Sequence, residues 1–396
     1  MARRVLLAWE FGEGLAHVML LAGVARELRA LSENIELVFA LRDIDPGLSV
    51  GIDAHSIVET PRRFIKPGFT PLTTLQPHRT FGGMIGEALV DESWESLRYF
   101  EEWDLLIAAA RPDVIIADYA PSATMLAAKR VPAVACGIGY SLPPVDLPSF
   151  PPVTKAAGPF YASEEELLER FNVVLRHVGA RVLERLPQIN EADAYGLCTV
   201  PDLDPYADFP GRDWLGSIMP DGVPVMEDRH SGGLAYFHQK QQFDDAILDG
   251  LIRSGVEIDI YMGEPMRRTR KRTQGTSLRL SDEPFSLRRA MPGRAVAIHQ
   301  GSLGFCSAAA FAGVPQVMLP RHQEHYSNSR SLVAKGVGMV VKPAQRTAAE
   351  LARIIRETAE SETMREAARV LAVSLEPWRN ANPARVIAER ALALAS

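Results

Sequence analysis

The residues best suited to chemistry lie where an apolar run ends in a glycine-containing turn. The segment reads HQGSLG from His299 to Gly304, and an alanine-rich stretch typical of a helix follows it. Where a parallel strand leads through glycines into a helix, free backbone N–H groups and the positive helix end point at a bound anion. The pattern predicts a phosphate-binding turn; the alternative is a tight turn that binds nothing.

A histidine and an aspartate follow two other apolar runs. His17 comes after a turn that begins at Gly12, and Asp118 ends the run that starts at Asp113. Parallel sheets bind ligands at the carboxyl ends of their strands. A histidine with a pKa near its ordinary value of about 6.5 accepts a proton at neutral pH, and a carboxylate beside it holds the tautomer. The alternatives are a capping or packing role for His17 and a helix N-cap for Asp118.

The elements that must position these residues alternate between strands and helices. Two apolar runs, Arg4 to Trp9 and Ile35 to Leu41, are typical of strands buried on both faces, with a helical pattern between them. This βαβ pattern predicts an α/β fold with two doubly wound parallel-sheet domains in tandem. Further strands are expected at 113–118, 131–136, 234–237 and 257–262, helices at 163–188 and 241–254, and a linker at 200–233.

Size and charge exclude several classes of protein. The chain has 396 residues, more than one hydrophobic core usually serves. Its net charge of −6 gives no electrostatic basis for binding nucleic acid, and no apolar run is long enough for a membrane span. The three cysteines (Cys136, Cys198 and Cys306) are far apart, as expected of a reduced cytoplasmic protein.

The stretch from His299 to Val341 resembles the donor-binding signature of glycosyltransferases with the GT-B fold. The closest resemblance is to the bacterial macrolide, flavonoid and glycolipid enzymes of the glycosyltransferase family 1 type. Their signature runs H-H-G-G-x-G-T, a helix, G-V-P, a further proline, an acidic residue followed by Gln, and Asn. The matching positions, without a gap, are His299, Gln300, Gly301, Ser302, Gly304, Phe305, Gly313, Val314, Pro315, Pro320, Glu324, His325 and Asn328.

The resemblance covers most of the chain in order, although residues 14–18 match the family's N-terminal G-H-V turn only weakly. It implies two Rossmann-like domains that face each other across a cleft. Residues 1–222 would bind the acceptor and residues 223–375 the nucleotide sugar, while a helix within 376–396 would cross back to the first domain.

The resemblance also implies inverting transfer from a UDP- or TDP-type sugar in one displacement, without a metal ion or another cofactor. His17 would be the base and Asp118 would orient it. The turn from His299 to Phe305 would hold the diphosphate. The other donor-site residues would be Glu324 and His325 at the sugar, and Asn328.

Departures from the family pattern affect the residues that would contact the donor. Gln300 replaces the second histidine, His325 replaces the glutamine, and Phe305 replaces the threonine. Gln and His side chains still form hydrogen bonds, but the side chain of Phe305 cannot donate one, which leaves Ser302 or Ser307 to replace it. A sugar-nucleotide-binding protein without catalysis is therefore one alternative function, and a nucleotide-sugar epimerase of the same fold is another.

The acceptor is not specified by the sequence and could be a small molecule, a lipid or a peptide, because acceptor loops vary freely on one scaffold. Phe81 and Trp94 either line an apolar acceptor pocket or pack in the core. A dinucleotide-binding dehydrogenase is a further alternative, since Gly12-x-Gly14 follows the first strand. His17 argues against it, because that position requires a third glycine for close helix packing.

Three charged patterns are weak signals. Asp43-x-Asp45 and Asp202-x-Asp204 have the DxD form that binds a metal diphosphate in a different transferase fold. We interpret both as loop charges, because so short a pattern arises often by chance. The basic run 267–272 is expected to be a solvated loop; a contact with an anionic acceptor or a membrane surface is the alternative.

Overall fold

The structure is a computed structural model, and it divides into two units. The described residues are 2–12, 15–62, 78–90, 94–153, 161–219, 221–228, 230–238 and 244–395. By internal contacts, one unit comprises Met1–Ile218 with Asn382–Ser396, and the other comprises Met219–Ala381.

The first unit contains a six-stranded parallel sheet. Its strands are β1 (Arg3–Trp9), β2 (Ile35–Leu41), β3 (Ile57–Glu59), β4 (Val114–Asp118), β5 (Ala133–Gly137) and β6 (Ala194–Leu197). Its first six helices are α1 (Leu15–Leu31), α2 (Ile44–Ser49), α3 (Phe81–Leu89), α4 (Trp94–Ala110), α5 (Pro121–Ala127) and α6 (Glu164–His177). The strand order is β3-β2-β1-β4-β5-β6, so the winding reverses between β1 and β4.

Alternating side chains of β1 supply the core on both faces of this sheet. Leu6 and Ala8 pack in a cluster with α3, α4, α5 and α6, whereas Val5, Leu7 and Trp9 pack in a cluster with α1. All five side chains are completely buried. This explains why β1 is apolar throughout: a strand covered on both faces has no polar face.

The second unit contains another six-stranded parallel sheet with the same winding. Its strands are β7 (Gly233–Tyr236), β8 (Ile258–Tyr261), β9 (Leu278–Leu280), β10 (Val296–His299), β11 (Gln316–Met318) and β12 (Gly338–Val340). Its helices are α7 (Asp245–Ser254), α8 (Arg267–Thr273), α9 (Leu287–Ala290), α10 (Leu303–Phe311), α11 (Gln323–Ala334), α12 (Ala348–Glu360) and α13 (Glu362–Ser374). The strand order β12-β11-β10-β7-β8-β9 places the reversal between β7 and β10. The predicted fold class, two doubly wound α/β domains, is confirmed.

The last helix, α14 (Pro383–Leu394), belongs to the first unit. The dipeptide Asn382-Pro383 is typical of a helix start. The side chain of Asn382 accepts a hydrogen bond from the backbone N–H of Arg385, and Pro383 occupies the first turn. The helix packs against α1 and covers the β4–β6 side of the sheet. Its Ile387 is completely buried there.

The predicted helix over 163–188 is too long, since α6 ends at His177. Gly179 has a φ of +66°, a left-handed conformation that ends helices. A separate 3-10 turn, Leu186–Asn190, follows. Residues 239–243, where the helix predicted at 241–254 begins, lie outside the described part of the chain.

The linker predicted at 200–233 is wrong for its first half, because residues up to 218 fold into the first unit. Asp204, which we expected to be a loop charge, is buried and forms a bidentate ion pair with Arg212, at 2.8 and 3.1 Å. The indole N–H of Trp214 also donates to Asp204 Oδ2 at 2.9 Å. Several polar partners therefore compensate the cost of burying this carboxylate.

The basic run 267–272 is helical rather than a loop, since it forms most of α8. Arg268 pairs with Asp245, and Arg272 pairs with both Asp245 and Asp249. Arg268 and Arg272 thus face carboxylates of the same unit. Asp43 has basic neighbours as well, with Arg62 at 3.6 Å.

Candidate active site

The ends of β1 and β4 bring His17 and Asp118 together. The two strands are neighbours, and Trp9 at the end of β1 lies opposite Asp118 at the end of β4. His17 stands in the first turn of α1, and its Nδ1 lies 2.9 Å from Asp118 Oδ2. The side chains are 15% and 2% exposed. Asp118 is not a helix N-cap, because α5 begins at Pro121 with Ala120 in the cap position.

The hydrogen bond to Asp118 fixes the chemistry of the His17 ring. A carboxylate accepts, so Nδ1 carries the proton and Nε2 keeps a lone pair. The ring stacks on the indole of Trp9 with centroids 5.3 Å apart and an interplanar angle of 16°. This arrangement of His and Asp is the one that a general base and its orienting carboxylate require.

Gly12 makes room for this ring. Its φ of +91° lies in the region that favours glycine. A Cβ at residue 12 would lie 2.1 Å from His17 Nε2, so any side chain here would displace the imidazole. Arg42 Nη1 donates to the carbonyl oxygen of Gly12 at 3.1 Å and holds the turn. Glu13 and Gly14, the rest of the predicted turn, lie outside the described residues.

Two aromatic residues beside His17 were not predicted. Tyr119, directly after Asp118, is one of the non-glycine residues with a positive φ, +48°. Its ring centroid lies 6.1 Å from that of His17 and 5.6 Å from that of Phe11. The backbone N–H of Phe11 donates to the carbonyl oxygen of Tyr119 at 3.0 Å. Strained conformations of bulky residues cluster at functional sites. The sequence signal was an aromatic residue within two positions of each strand end.

The two predicted acceptor residues lie in different environments. Phe81 is completely buried and packs against the rings of Tyr119, Tyr140 and Phe150. It offers no surface to an acceptor in this conformation. Trp94 is 64% exposed at the start of α4, with the Arg98 guanidinium 5.1 Å from its ring centroid.

A buried carboxylate next to β1 was also not predicted. Glu10 follows Trp9 and is 5% exposed. Its Oε1 accepts from the hydroxyls of Tyr99 at 2.6 Å and Ser122 at 2.5 Å, and its Oε2 accepts from the backbone N–H of Ser122 at 2.9 Å. Burial raises the pKa of Glu10 to about 7 and prevails over the hydrogen bonds, which lower it. No sequence signal pointed to this residue, since one glutamate after a strand is ordinary.

In the second unit, the predicted phosphate turn joins β10 to α10. Gly301 has a φ of +97°, and Ser302 stands in the N-cap position of α10 without forming a side-chain cap. Gly304 faces open space, because apart from its chain neighbours and its own helix no atom of the described residues lies within 4 Å of the position that a Cβ would take. The turn therefore leaves room above a helix N-terminus, which is the geometry that receives an anion.

Hydrogen bonds of the buried His299 ring stabilise this turn. Its Nδ1 accepts from the backbone N–H of Gly301 at 3.1 Å, so its Nε2 carries the proton and donates to Gln316 Oε1 at 3.0 Å. Burial lowers the pKa of His299 to about 3, so the ring is neutral. Both ring nitrogens are thus used within the protein, and His299 shapes the turn rather than presenting its ring to solvent.

Asn328 and Phe305 also support the turn. Asn328 Nδ2 donates to the carbonyl oxygen of Gly301 at 3.1 Å. Phe305 is 3% exposed, and its ring lies 4.6 Å from the His299 ring and 5.8 Å from the Tyr236 ring. The side chain of Phe305 therefore belongs to the core beneath the turn, and only its backbone stands at the helix N-terminus.

The remaining predicted donor residues lie around the loop between β11 and α11. Gln300 is 9% exposed, and its Oε1 accepts from Arg321 Nη1 at 3.3 Å. Glu324 is half-buried in the first turn of α11. His325 is buried, and its ring centroid lies 3.7 Å from that of His322. Arg321 is a residue of this loop that sequence analysis did not single out.

No group of three or more His, Cys, Asp or Glu side chains that could hold a metal ion is found among the described residues. The described part of the chain likewise has no helix long and apolar enough to cross a membrane.

Comparison with known proteins relates this fold to one group of enzymes. Residues 249–390 match the family model for the C-terminal domain of erythromycin biosynthesis protein CIII-like proteins. No curated protein matches the sequence significantly.

Three solved structures show the likeness over the whole chain. CalG4, the calicheamicin glycosyltransferase, superposes with a TM-score of 0.67 at 16% identity, covering 99% of this chain and 98% of that one. The spinosyn rhamnosyltransferase SpnG, solved with thymidine diphosphate, gives 0.63 at 18% identity and covers 98% and 99%. The glycosyltransferase VinC, solved with dTDP, gives 0.63 at 15% identity and covers 99% of both chains.

The similarity to GT-B enzymes that was predicted from residues 299 to 341 is confirmed by these comparisons. The chain thus has the fold of these glycosyltransferases over its whole length, and residues 249–390 resemble the C-terminal domain of erythromycin biosynthesis protein CIII-like proteins.

Proposed function

We propose that this protein transfers a sugar from a nucleoside diphosphate sugar to an acceptor hydroxyl, with inversion at the anomeric carbon and without a metal ion. The observation that carries the proposal is the hydrogen bond of 2.9 Å between His17 and Asp118 at adjacent strand ends. The glycine turn before α10 supports the part of the proposal that concerns binding of the nucleoside diphosphate sugar. The thymidine diphosphate in the structures of SpnG and VinC supports a TDP-type donor.

In the proposed reaction His17 Nε2 takes the proton of the acceptor hydroxyl. The hydroxyl oxygen then attacks the anomeric carbon from the side opposite the diphosphate, and the bond from that carbon to the leaving oxygen breaks. One displacement inverts the configuration. Asp118 keeps the proton of the resting imidazole on Nδ1 and stabilises the imidazolium that forms, because its negative charge lies 2.9 Å from that nitrogen.

The leaving diphosphate gains negative charge in this step. We assign its stabilisation to the backbone N–H groups at the start of α10, where Gly304 leaves room for close approach. His299 and Asn328 would act indirectly, by holding the turn in place. This assigns acceptor binding to the first unit and donor binding to the second, while the identity of the acceptor stays open.

Substitution of the pair tests the proposal. His17→Ala and Asp118→Asn should each lower the rate of transfer by about 100-fold or more, because general base catalysis contributes that much. The nucleotide affinity should not change, since neither residue belongs to the donor turn. The measurement is turnover of TDP- and UDP-sugars with a panel of hydroxylated acceptors, followed by mass spectrometry, together with calorimetric titration of the nucleotide.

His55→Ala is the matched control, because His55 is an exposed histidine of the same unit. Addition of EDTA should leave the wild-type rate unchanged. A His17→Ala variant that is folded and transfers sugar at the wild-type rate would refute the catalytic assignment. Binding of a nucleotide sugar without transfer to any acceptor would favour a binding protein, and turnover of the sugar nucleotide alone would favour an epimerase.

A further inference from the structure

We infer that Arg321 binds the diphosphate of the sugar donor and supplies the contact that the Phe305 side chain cannot make. The inference rests on the proposed function, and it assigns to this chain a phosphate ligand outside the glycine turn. Arg321 follows the end of β11 by three residues and precedes α11. Because β10 and β11 are parallel neighbours, the loops after them lie at the same edge of the sheet.

A direct contact places Arg321 at the glycine turn. Its Nη1 donates to Gln300 Oε1 at 3.3 Å, and its backbone N–H donates to His325 Nδ1 at 3.4 Å. The first bond orients Gln300: since the amide oxygen faces the guanidinium, the amide nitrogen is left as a donor. Gln300 and Arg321 thus present donors together, next to the start of α10.

Two arginines, Arg321 and Arg346, bring positive charge to this place. Within the described residues, neither Arg321 nor Arg346 has a carboxylate within 4.0 Å, whereas Arg294 and Arg353 of the same unit both form ion pairs. Arg346 donates instead to the carbonyl oxygens of Pro320 and Val341. Both arginines are partly buried, where an uncompensated charge is costly unless an anion binds.

The neighbouring histidines do not carry this charge. Burial lowers the pKa of His322 to about 4, and it lowers the pKa of His325 well below the ordinary value. The positive charge of Arg321 also lowers the pKa of both histidines. At neutral pH the two rings are therefore neutral hydrogen-bonding groups, and the arginines hold the net positive charge.

An arginine suits the chemistry of the leaving diphosphate better than the threonine that the family signature has at the Phe305 position. A guanidinium forms charge-assisted, often bidentate hydrogen bonds to phosphate oxygens, whereas a threonine hydroxyl forms one neutral hydrogen bond. Phe305 is committed to the core, so the turn itself contributes only backbone donors and the uncharged side chains of Gln300 and Ser302. Arg321 restores side-chain donation and adds charge where the diphosphate becomes more negative.

The test is calorimetric titration of the full-length protein with TDP and UDP, and with the matching nucleoside monophosphates. Arg321→Ala should weaken binding of the diphosphate by about 10- to 100-fold, as expected for loss of a charge-assisted hydrogen bond. It should weaken binding of the monophosphate less, and Arg321→Lys should fall between Arg321→Ala and wild type. Arg330→Ala, at an exposed position of α11, is the control and should bind as the wild type does.

The ligand-free protein gives a second measurement. Because Arg321 lacks a counter-charge among the described residues, Arg321→Ala should not lower the thermal midpoint without nucleotide, although it should reduce the stabilisation that TDP or UDP produces. A wild-type protein that binds neither nucleotide would contradict the proposed function itself. Wild-type affinity in Arg321→Ala, or equal weakening for diphosphate and monophosphate, would overturn the inference about Arg321 alone.

Discussion

Replacement of Glu10 by glutamine should make the protein more stable at about pH 8 and change little at about pH 4. Glu10 is buried, and burial raises its pKa from 4.5 to about 7. The hydroxyls of Tyr99 and Ser122 donate to its Oε1, and both can rotate to accept from a glutamine amide. The amide oxygen of the introduced glutamine can then keep the hydrogen bond from the Ser122 backbone.

The size of the effect follows from linkage. A carboxyl whose pKa is higher in the folded than in the unfolded state favours folding while it is protonated. Its contribution is complete below about pH 4.5, where the group is protonated in both the folded and the unfolded state. As the pH rises from about 4.5 to about 7, the folded state binds more protons than the unfolded state, so the free energy of unfolding falls. A shift of that size corresponds to about 3 kcal/mol.

The assay is urea unfolding of the wild type and of Glu10→Gln at several pH values, followed by tryptophan fluorescence. Four of the five tryptophans lie in the unit that contains Glu10, so the signal reports mainly on that unit. The difference between the two proteins is the useful quantity, because every other titrating group contributes equally to both. It should change by about 3 kcal/mol between pH 4 and pH 8 in favour of the variant.

Glu33→Gln, which removes an exposed carboxylate of the same unit, is the control. A difference between wild type and Glu10→Gln that stays constant with pH would refute the reasoning, because Glu10 would then titrate alike in the folded and unfolded states. A variant that loses stability at every pH would show that the hydroxyls do not accept the amide.

Two further substitutions test the geometry of the first unit. Gly12→Ala should abolish most transfer, because its Cβ would lie 2.1 Å from His17 Nε2. Gly51→Ala should leave the rate unchanged, because Gly51 has a similar φ of +82° but, beyond its chain neighbours, no described atom lies within 4 Å of its Cβ position. Both variants should lower the free energy of unfolding in urea by about 1–2 kcal/mol. Equal rates of transfer in the two variants would contradict the steric argument. Asp204→Asn should destabilise by about 3–5 kcal/mol, since it leaves Arg212 buried without a counter-charge. Asp208→Asn, at an exposed position, should not change the midpoint of urea unfolding. A similar midpoint for the two variants would mean that the charge of Asp204 does not contribute to stability.

Much of the fold could be predicted, because each element leaves a local pattern. β2 was predicted at its observed bounds, and the start of α14 was given by Asn382 and Pro383. The helix that begins after Thr347 also follows the sequence, since the Thr347 hydroxyl accepts from the Glu350 backbone. Thr347-x-x-Glu350 has the pattern of a capping box, but the Glu350 side chain pairs with Arg353 instead of completing it.

The candidate site was predicted where it follows strand ends and missed where it depends on distant neighbours. His17 and Asp118 stand at the ends of adjacent parallel strands, so their proximity follows from the βαβ topology. Arg321 was missed because its significance lies in its contact with Gln300 and in the lack of an ion pair with any described carboxylate. Neither property leaves a pattern in the sequence. Phe305 was assigned to the donor site by motif position, yet its side chain lies in the core.

The sequence by itself determined the alternation of strands and helices, the two glycine turns and the residues at the strand ends, because these depend on short-range periodicity and backbone preference. Tertiary structure alone decided which charges are compensated. Asp204 pairs with Arg212 and accepts a hydrogen bond from Trp214, and Glu10 accepts hydrogen bonds from two hydroxyls and a backbone N–H. Arg321 donates to Gln300 and has no described carboxylate within 4.0 Å. The free energy of a buried charge depends on its partners and on its exclusion from water, and only the folded chain specifies both.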